Sequence, residues 1–193
     1  MSTSYKILLL LFCITAIMRL SELVLARRNL RKRQENEVLT EEKEFYFPFF
    51  FLLHSSFLIA VPLEVFYFQR ELSIILLALS TGILCLAFIL RFHVLYIMRE
   101  NWNVRVIVNP EKTDSIVTEG IYSYIRHPNY LVVILEIIGL SLFHSAFYSF
   151  IIFSIANFII LFYRIRTEEK ALFRNPAYAT HFSSKKRFIP GIF

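Results

Sequence analysis

Five long apolar runs decide what this chain can fold into. They fall at about residues 6–25, 45–68, 72–98, 130–144 and 146–163. A helix that crosses a bilayer needs about 20 mostly apolar residues, with a range of about 17–25. The fourth run is short, and it is extended back to Pro128, a residue suited to the first turn of a helix. Composition agrees. The chain is 56% hydrophobic and 19% charged, where soluble domains run at roughly 45–50% and about 25%. That excludes an ordinary soluble domain and a disordered chain, and two cysteines exclude a disulfide-stapled module. The first run follows Lys6 as a signal peptide's apolar region would. No small-residue cleavage site follows it, and Arg19 and Glu22 continue the helical pattern, so it is expected to be a retained span. The expected fold is an all-α integral membrane protein of about five transmembrane helices.

The formal net charge is +6, and the basic residues flank the apolar runs. Six lie in the loop at 26–44, four in the segment 99–128 and seven in the tail from Arg164. Only Lys6 and Arg70 belong to the other side. Five spans place all three basic segments on one face. The positive-inside rule makes that face cytoplasmic, with the N-terminus out and the C-terminus in. The basic balance therefore reads as topology, and no nucleic-acid partner is expected. The 26–44 loop is a basic run followed by an acidic one. It reads as a topogenic signal, or more sharply as a contact with anionic lipid. The four glycines offer no small-residue seam from which to argue an oligomer.

Charges inside spans are costly and are paired or functional. Arg19 and Glu22 are three apart and can meet on one helical face. Glu64 and Arg91 lie near span ends, where snorkelling is open to them, and structural pairing is the favoured reading for each of these charges. His93 is a further polar residue within a span, and His54 and His144 read as structural. Glu136 lies two turns beyond an Arg-His-Pro-Asn-Tyr segment and is expected on the acceptor side of whatever that segment builds. Cys13 and Cys85 are expected to be buried structural thiols. With no paired cysteines and no His/Cys cluster at ligand spacing, no metal site is expected.

The most informative stretches flank the last helical hairpin. One is 120–130, Gly-Ile-Tyr-Ser-Tyr-Ile-Arg-His-Pro-Asn-Tyr, and the other is 164–172, Arg-Ile-Arg-Thr-Glu-Glu-Lys-Ala-Leu. The turn near His144–Ser145 is short, so the two helices are antiparallel and both motifs return to the cytoplasmic boundary. Pro128 at a helix start suits an anionic group, and Glu168 with Glu169 suits a cationic one. Arg164 and Glu168 share a face. Tyr122, Tyr124 and Tyr130 can cover a flat ring. Such a boundary fits a zwitterionic soluble cofactor. It fits equally an interfacial belt of Tyr and Arg that anchors the hairpin.

The pattern G-[IV]-Y-x-x-x-R-H-P-x-Y, a hairpin, then R-x-x-x-E-E-x-x-L resembles the isoprenylcysteine carboxyl methyltransferase family. The lead-in Asn101-Trp102-Asn103 and Ser115–Gly120 fits, as does the close, Tyr178 followed by Lys185-Lys186-Arg187-Phe188-Ile189-Pro190. The resemblance covers about 100–193. Val132 stands where many members have Gly, and Arg174-Asn175 where many have Phe-Gly. Asn-Tyr-Leu-Val-Val-Ile-Leu-Glu and the stretch Arg19–Asn29 resemble instead a bacterial branch, some members of which methylate alkylpyrones. The resemblance implies S-adenosylmethionine as cofactor, a cytoplasmic cofactor site and a lipophilic small-molecule acceptor methylated on oxygen. It implies that Arg126, His127, Pro128 and Tyr130 shape the cofactor pocket. By charge, Glu168 and Glu169 would meet the cofactor's ammonium or ribose. Arg164 would hold an anionic acceptor as a guanidinium pairs with a carboxylate. The acceptor's tail would enter sideways between spans. Residues 1–98 would form the N-terminal helices and 99–193 the catalytic region of one folded unit. The rival activities are phospholipid N-methylation and an NADPH-dependent sterol-type reductase, and a non-catalytic scaffold is the remaining alternative.

Overall fold

The computed structural model describes residues 3–35, 39–108 and 116–190. Lys112, Ser115 and Asn36-Glu37-Val38 of the sequence motifs lie outside the described residues. Five apolar helices follow in order: α1 (Thr3–Gln34), α2 (Phe47–Tyr67), α3 (Ile74–Met98), α4 (Pro128–Leu142) and α5 (Phe147–Leu172). A short α6 (Pro176–Phe182) closes the tail. Among the described residues four helices are long and apolar enough to cross a membrane, namely those at Tyr5–Gln34, Phe47–Tyr67, Ile74–Asn101 and Phe147–Leu172. The fifth expected span, α4, has 15 residues. At 1.5 Å per residue it measures about 22 Å, short of a hydrocarbon core of about 30 Å.

The bounds of α4 have local causes. Pro128 occupies its first turn, and Ser145 in the left-handed region (φ 57°) ends the hairpin arm. The Ala146 amide donates back to the Ser141 carbonyl at 2.9 Å, which closes the turn. The helix α5 has no side-chain cap of its own. Instead the Glu64 carboxylate of α2 accepts from the Tyr148 amide (3.1 Å) and the Ser149 amide (2.7 Å). Glu64 is thus turned inward against a helix N-terminus, with Arg70 3.5 Å away, so its charge is structurally paired and does not snorkel.

The helix α4 lies between α3 and α5, and α2 packs against α1 and α5. Leu8, Phe12, Phe57, Val61, Leu84, Ile137 and Leu140 form the core. Gly139 lets α3 approach: a Cβ there would lie 2.7 Å from Leu84 Cγ. The apolar surface faces outward, with Leu10, Val24, Phe49, Ile74 and Phe158 among the exposed side chains. In a bilayer that surface meets lipid at little cost. Cys13 and Cys85 are exposed on it, so the expectation of buried thiols is corrected. Thiol burial in soluble cores does not transfer to a helix whose outer face is itself apolar.

One end of the bundle gathers the three basic segments. β1 (Thr40–Glu41) pairs antiparallel with β2 (Ile107–Val108), Thr40 opposite Val108. Asn29 Nδ2 donates to the carbonyls of Arg99 (2.9 Å) and Trp102 (3.1 Å). Arg174 pairs with Glu42 at 2.7 Å. The tail returns to the start of α4, where the amides of Arg126 and His127 donate to the carbonyls of Lys186 (2.9 Å) and Arg187 (3.0 Å).

Candidate functional site

At that end lies a cavity of about 280 Å³. Arg126, His127, Asn129 and Tyr130 reach it from the start of α4, and Arg164, Glu168 and Leu172 from the end of α5. Trp102, Asn103, Val106 and Tyr122 line it from the connection between α3 and α4. Arg33 and Thr40 close one side, and Tyr178 and Phe182 of α6 another. Local sequence explains the last wall. Asn175 accepts from the amides of Ala177 (2.9 Å) and Tyr178 (3.4 Å), and Pro176 follows it. An Asn cap with Pro at the first helical position starts α6 at once and folds the tail back.

The two adjacent carboxylates of α5 face different partners. Glu169 is 9% exposed and does not line the cavity. Its Oε1 lies 3.1 Å from each of Arg126 NH1, His127 Nε2 and Arg187 Nε, and its Oε2 lies 2.6 Å from Arg187 NH2. The Arg187 pair is bidentate, the strong geometry for guanidinium and carboxylate. Glu169 thereby joins α5, the start of α4 and the tail. Glu168 faces the cavity and accepts from the Tyr130 hydroxyl. That hydroxyl accepts in turn from Arg164 Nε at 2.8 Å. Arg164 NH2 donates to the Val104 carbonyl at 2.5 Å. Pro128 starts α4 as expected and lies beneath the wall, fully buried.

Several buried donors at the site lack partners. Arg164 NH1 has none, and it is 3.8 Å from Glu44 Oε2, which also has none. Asn103 Nδ2 and Arg126 Nε are likewise unpartnered. A buried donor without a partner costs about 1–3 kcal/mol, so these atoms are suited to polar groups of a ligand. Burial and then the Glu168 carboxylate push the Tyr122 and Tyr178 phenols well above the ordinary value, so both remain neutral. Tyr124, expected to help cover a ring, is 64% exposed and does not reach the cavity. The arrangement can hold an ammonium at Glu168, an anion at Asn103 and Arg126, and a planar ring among Tyr122, Tyr178 and Phe182. Among the described residues no group of three His, Cys, Asp or Glu side chains is placed to hold a metal.

Glu136 does not line this cavity. It belongs to a buried cluster of two cations and two anions. Arg19 pairs with Glu22 at 2.8 Å and with Glu136. Arg91 pairs with Glu22 at 3.4 Å and with Glu136 at 3.2 Å. Arg91 also donates to Asn129 Oδ1 in the wall of the site. At 1% exposure Arg91 does not snorkel but is paired, the favoured reading of its charge in the sequence. Its partners come from α1 and α4, far away in sequence. His93 is exposed and lies against Gly120, where a Cβ would be 2.8 Å from its Nε2, and it does not line the cavity. Asn103, Trp102 and Phe182 were not singled out by chemistry. The signals were weak: an Asn-Trp-Asn run and one aromatic of a short amphipathic tail helix.

Residues 75–174 match the family described as the isoprenylcysteine carboxyl methyltransferase (ICMT) family. The uncharacterised protein YpbQ of Bacillus subtilis (strain 168) is 33% identical over 163 residues, which cover 84% of this chain and 95% of that protein. An uncharacterised protein of Haemophilus influenzae is 37% identical over 95 residues, covering 49% of this chain and 54% of its own length. The protein-S-isoprenylcysteine O-methyltransferase of Schizosaccharomyces pombe is 32% identical over 93 residues, covering 48% of this chain and 39% of its own.

Proposed function

The chain belongs to the isoprenylcysteine carboxyl methyltransferase family, and from that premise we propose that it transfers a methyl group from S-adenosylmethionine to an oxygen of a lipophilic acceptor. The acceptor class is a carboxylate or acidic hydroxyl on a hydrocarbon tail, such as an isoprenylcysteine-like or alkylpyrone compound. Phospholipid N-methylation and nicotinamide-dependent reduction are not favoured by the relatives. The observation that carries the reading is the Arg164–Tyr130–Glu168 chain of hydrogen bonds on the wall of a cavity closed by the tail.

The residues present fit this cofactor. Glu168 would meet its ammonium, and Asn103 and Arg126, each with an unpartnered buried donor, its carboxylate. Tyr122, Tyr178 and Phe182 supply the faces for its ring. When bound, the cofactor would supply an electrophilic methyl on a sulfonium, to be attacked in line by an acceptor oxygen with the neutral thioether as leaving group. Such a reaction is accelerated by alignment and by exclusion of water, with no nucleophilic side chain needed. Arg164 NH1 is one hydrogen bond short and holds the acceptor oxygen. Tyr130 fixes both the guanidinium and the Glu168 carboxylate, so the donor and acceptor ends are positioned by one hydroxyl. His127, Pro128 and Glu169 position the α4 start. Glu136 acts at a distance, through Arg91 and Asn129, and does not touch the acceptor.

The site would face the cytoplasm, with the gathered basic segments inside and α4 completing a five-helix membrane domain of a bacterial inner membrane. The acceptor tail then enters from the bilayer and the soluble cofactor from the cytoplasm. Titration calorimetry of detergent-purified protein with S-adenosylmethionine, S-adenosylhomocysteine and NADPH tests the reading. Saturable binding of both adenosyl compounds, weakened in Glu168→Gln, is expected. NADPH binding with no adenosyl binding would refute it.

A further inference from the structure

A second cavity, of about 400 Å³, runs along the outer side of the α4–α5 pair. The layer formed by Tyr130, Leu161 and Ile165 separates it from the first. Its walls are apolar except for Ser154, Asn157 and Arg166 of α5 and Arg187 of the tail. Asn157 is 3% exposed and its Oδ1 has no partner, and Ser154 Oγ has none either. Both line the cavity, and their spacing of three places them on one face. Several hydroxyls elsewhere in the bundle return to their own helix, although Ser141 Oγ of α4 is also unpartnered. Thr15, Ser56, Ser80 and Thr81 each donate to the carbonyl four residues back, at 2.6–2.9 Å. Ser154 does not. In a lipid-facing groove there is no water to serve these atoms, so two unmatched polar groups point to a ligand that matches them.

The other end of the groove is cationic. Arg187 is taken up by Glu169. Arg166 enters no ion pair among the described residues, and its guanidinium lies 4.0 Å over the Phe162 ring. Nine residues separate Asn157 from Arg166, about 14 Å along the helix at 1.5 Å per residue.

We propose that the α4–α5 groove is a binding site for an anionic single-chain amphiphile that carries a hydroxyl or amide in mid-chain. The hydrocarbon lies between the helices, the mid-chain group bonds Ser154 and Asn157, and the anionic end meets Arg166. The site is distinct from the methyl-transfer cavity and does not depend on that assignment.

The full chain, purified in detergent, is titrated with 12-hydroxyoctadecanoate and with octadecanoate and read by native mass spectrometry. One hydroxy acid is expected to bind per chain, about tenfold tighter than octadecanoate, as one matched buried hydrogen bond implies. Asn157→Leu should erase that preference while keeping the binding of octadecanoate. Arg166→Ala should weaken both acids. Saturating S-adenosylhomocysteine should displace neither. Equal binding of the two acids to the wild-type chain would overturn the proposal. So would displacement by S-adenosylhomocysteine, or a dimer whose formation excludes the acid from the groove. Asn157→Ser, which keeps a polar group, should retain part of the preference and guards against misfolding of the leucine variant.

Discussion

Replacing Glu136 by Leu tests whether the buried cluster is a closed charge balance. The wild-type cluster holds Arg19 and Arg91 against Glu22 and Glu136. The substitution leaves two guanidinium groups sharing one carboxylate. Arg91, at 1% exposure, has no route to solvent. Breaking a buried pair from one side costs about 3–5 kcal/mol. For a chain of this length about 2–4 °C accompanies each kcal/mol, which predicts a melting temperature lower by about 6–20 °C. The double variant Arg91→Met with Glu136→Leu removes one charge of each sign and leaves the 2.8 Å Arg19–Glu22 pair. Its remaining cost is the bond from Arg91 to Asn129, about 1–2 kcal/mol. The double variant should therefore be more stable than the single one. Trp102, the one tryptophan, reports directly, because its indole donates to the Glu22 carbonyl at 3.3 Å. Thermal unfolding in detergent, followed by its fluorescence, gives both numbers. A Glu136→Leu variant within about 1 kcal/mol of wild type, or costs that simply add, would refute the closed-balance argument.

Other perturbations separate the remaining parts. Gly120→Ala meets a backbone at φ +55° and a Cβ 2.8 Å from His93 Nε2. It should cost about 1–3 kcal/mol, chiefly for the backbone, because the crowding atoms are ends of side chains that can turn away, read by the same unfolding assay. Glu64→Ala removes the inter-helix cap of α5 and should destabilise by about 1–2 kcal/mol, whereas Glu64→Gln should recover part of it. Glu169→Gln should loosen the tail, seen as faster proteolysis after Arg174. Glu168→Gln should leave proteolysis unchanged and weaken S-adenosylhomocysteine binding. Arg164→Ala should leave that binding within a few-fold and abolish methyl transfer to a carboxylate or acidic hydroxyl acceptor.

What the sequence made legible was local. The hairpin, its short turn and the opposed motifs follow from apolar run length and helical rise, and α4 begins at Pro128 as expected. The extension of α5 past 163 to Leu172 follows from good helix formers up to the Asn175-Pro176 break, but an apolar scan stops where the charges begin. What stayed hidden was long-range. Structural pairing was legible for Arg91, but its partners were not, because they lie on α1 and α4. Glu64 caps a helix some 85 residues away in sequence. The thiols were misplaced because the expectation assumed a soluble interior.

Glu168 and Glu169 show why a motif alone underdetermines a site. Both are acidic and successive on one helix, so they point about 100° apart. Charge logic treats them as a pair with one job. The tail settles the difference: Arg187 arrives from 18 residues downstream and closes a bidentate contact on Glu169. That neutralises one carboxylate and leaves Glu168 alone facing the cavity, bonded to Tyr130. A boundary site needs both functions within one turn. A clamp must hold the tail over the opening, and an unclamped charge must remain inside it. Adjacent residues on a rigid helix supply the two at fixed separation, which a loop would not.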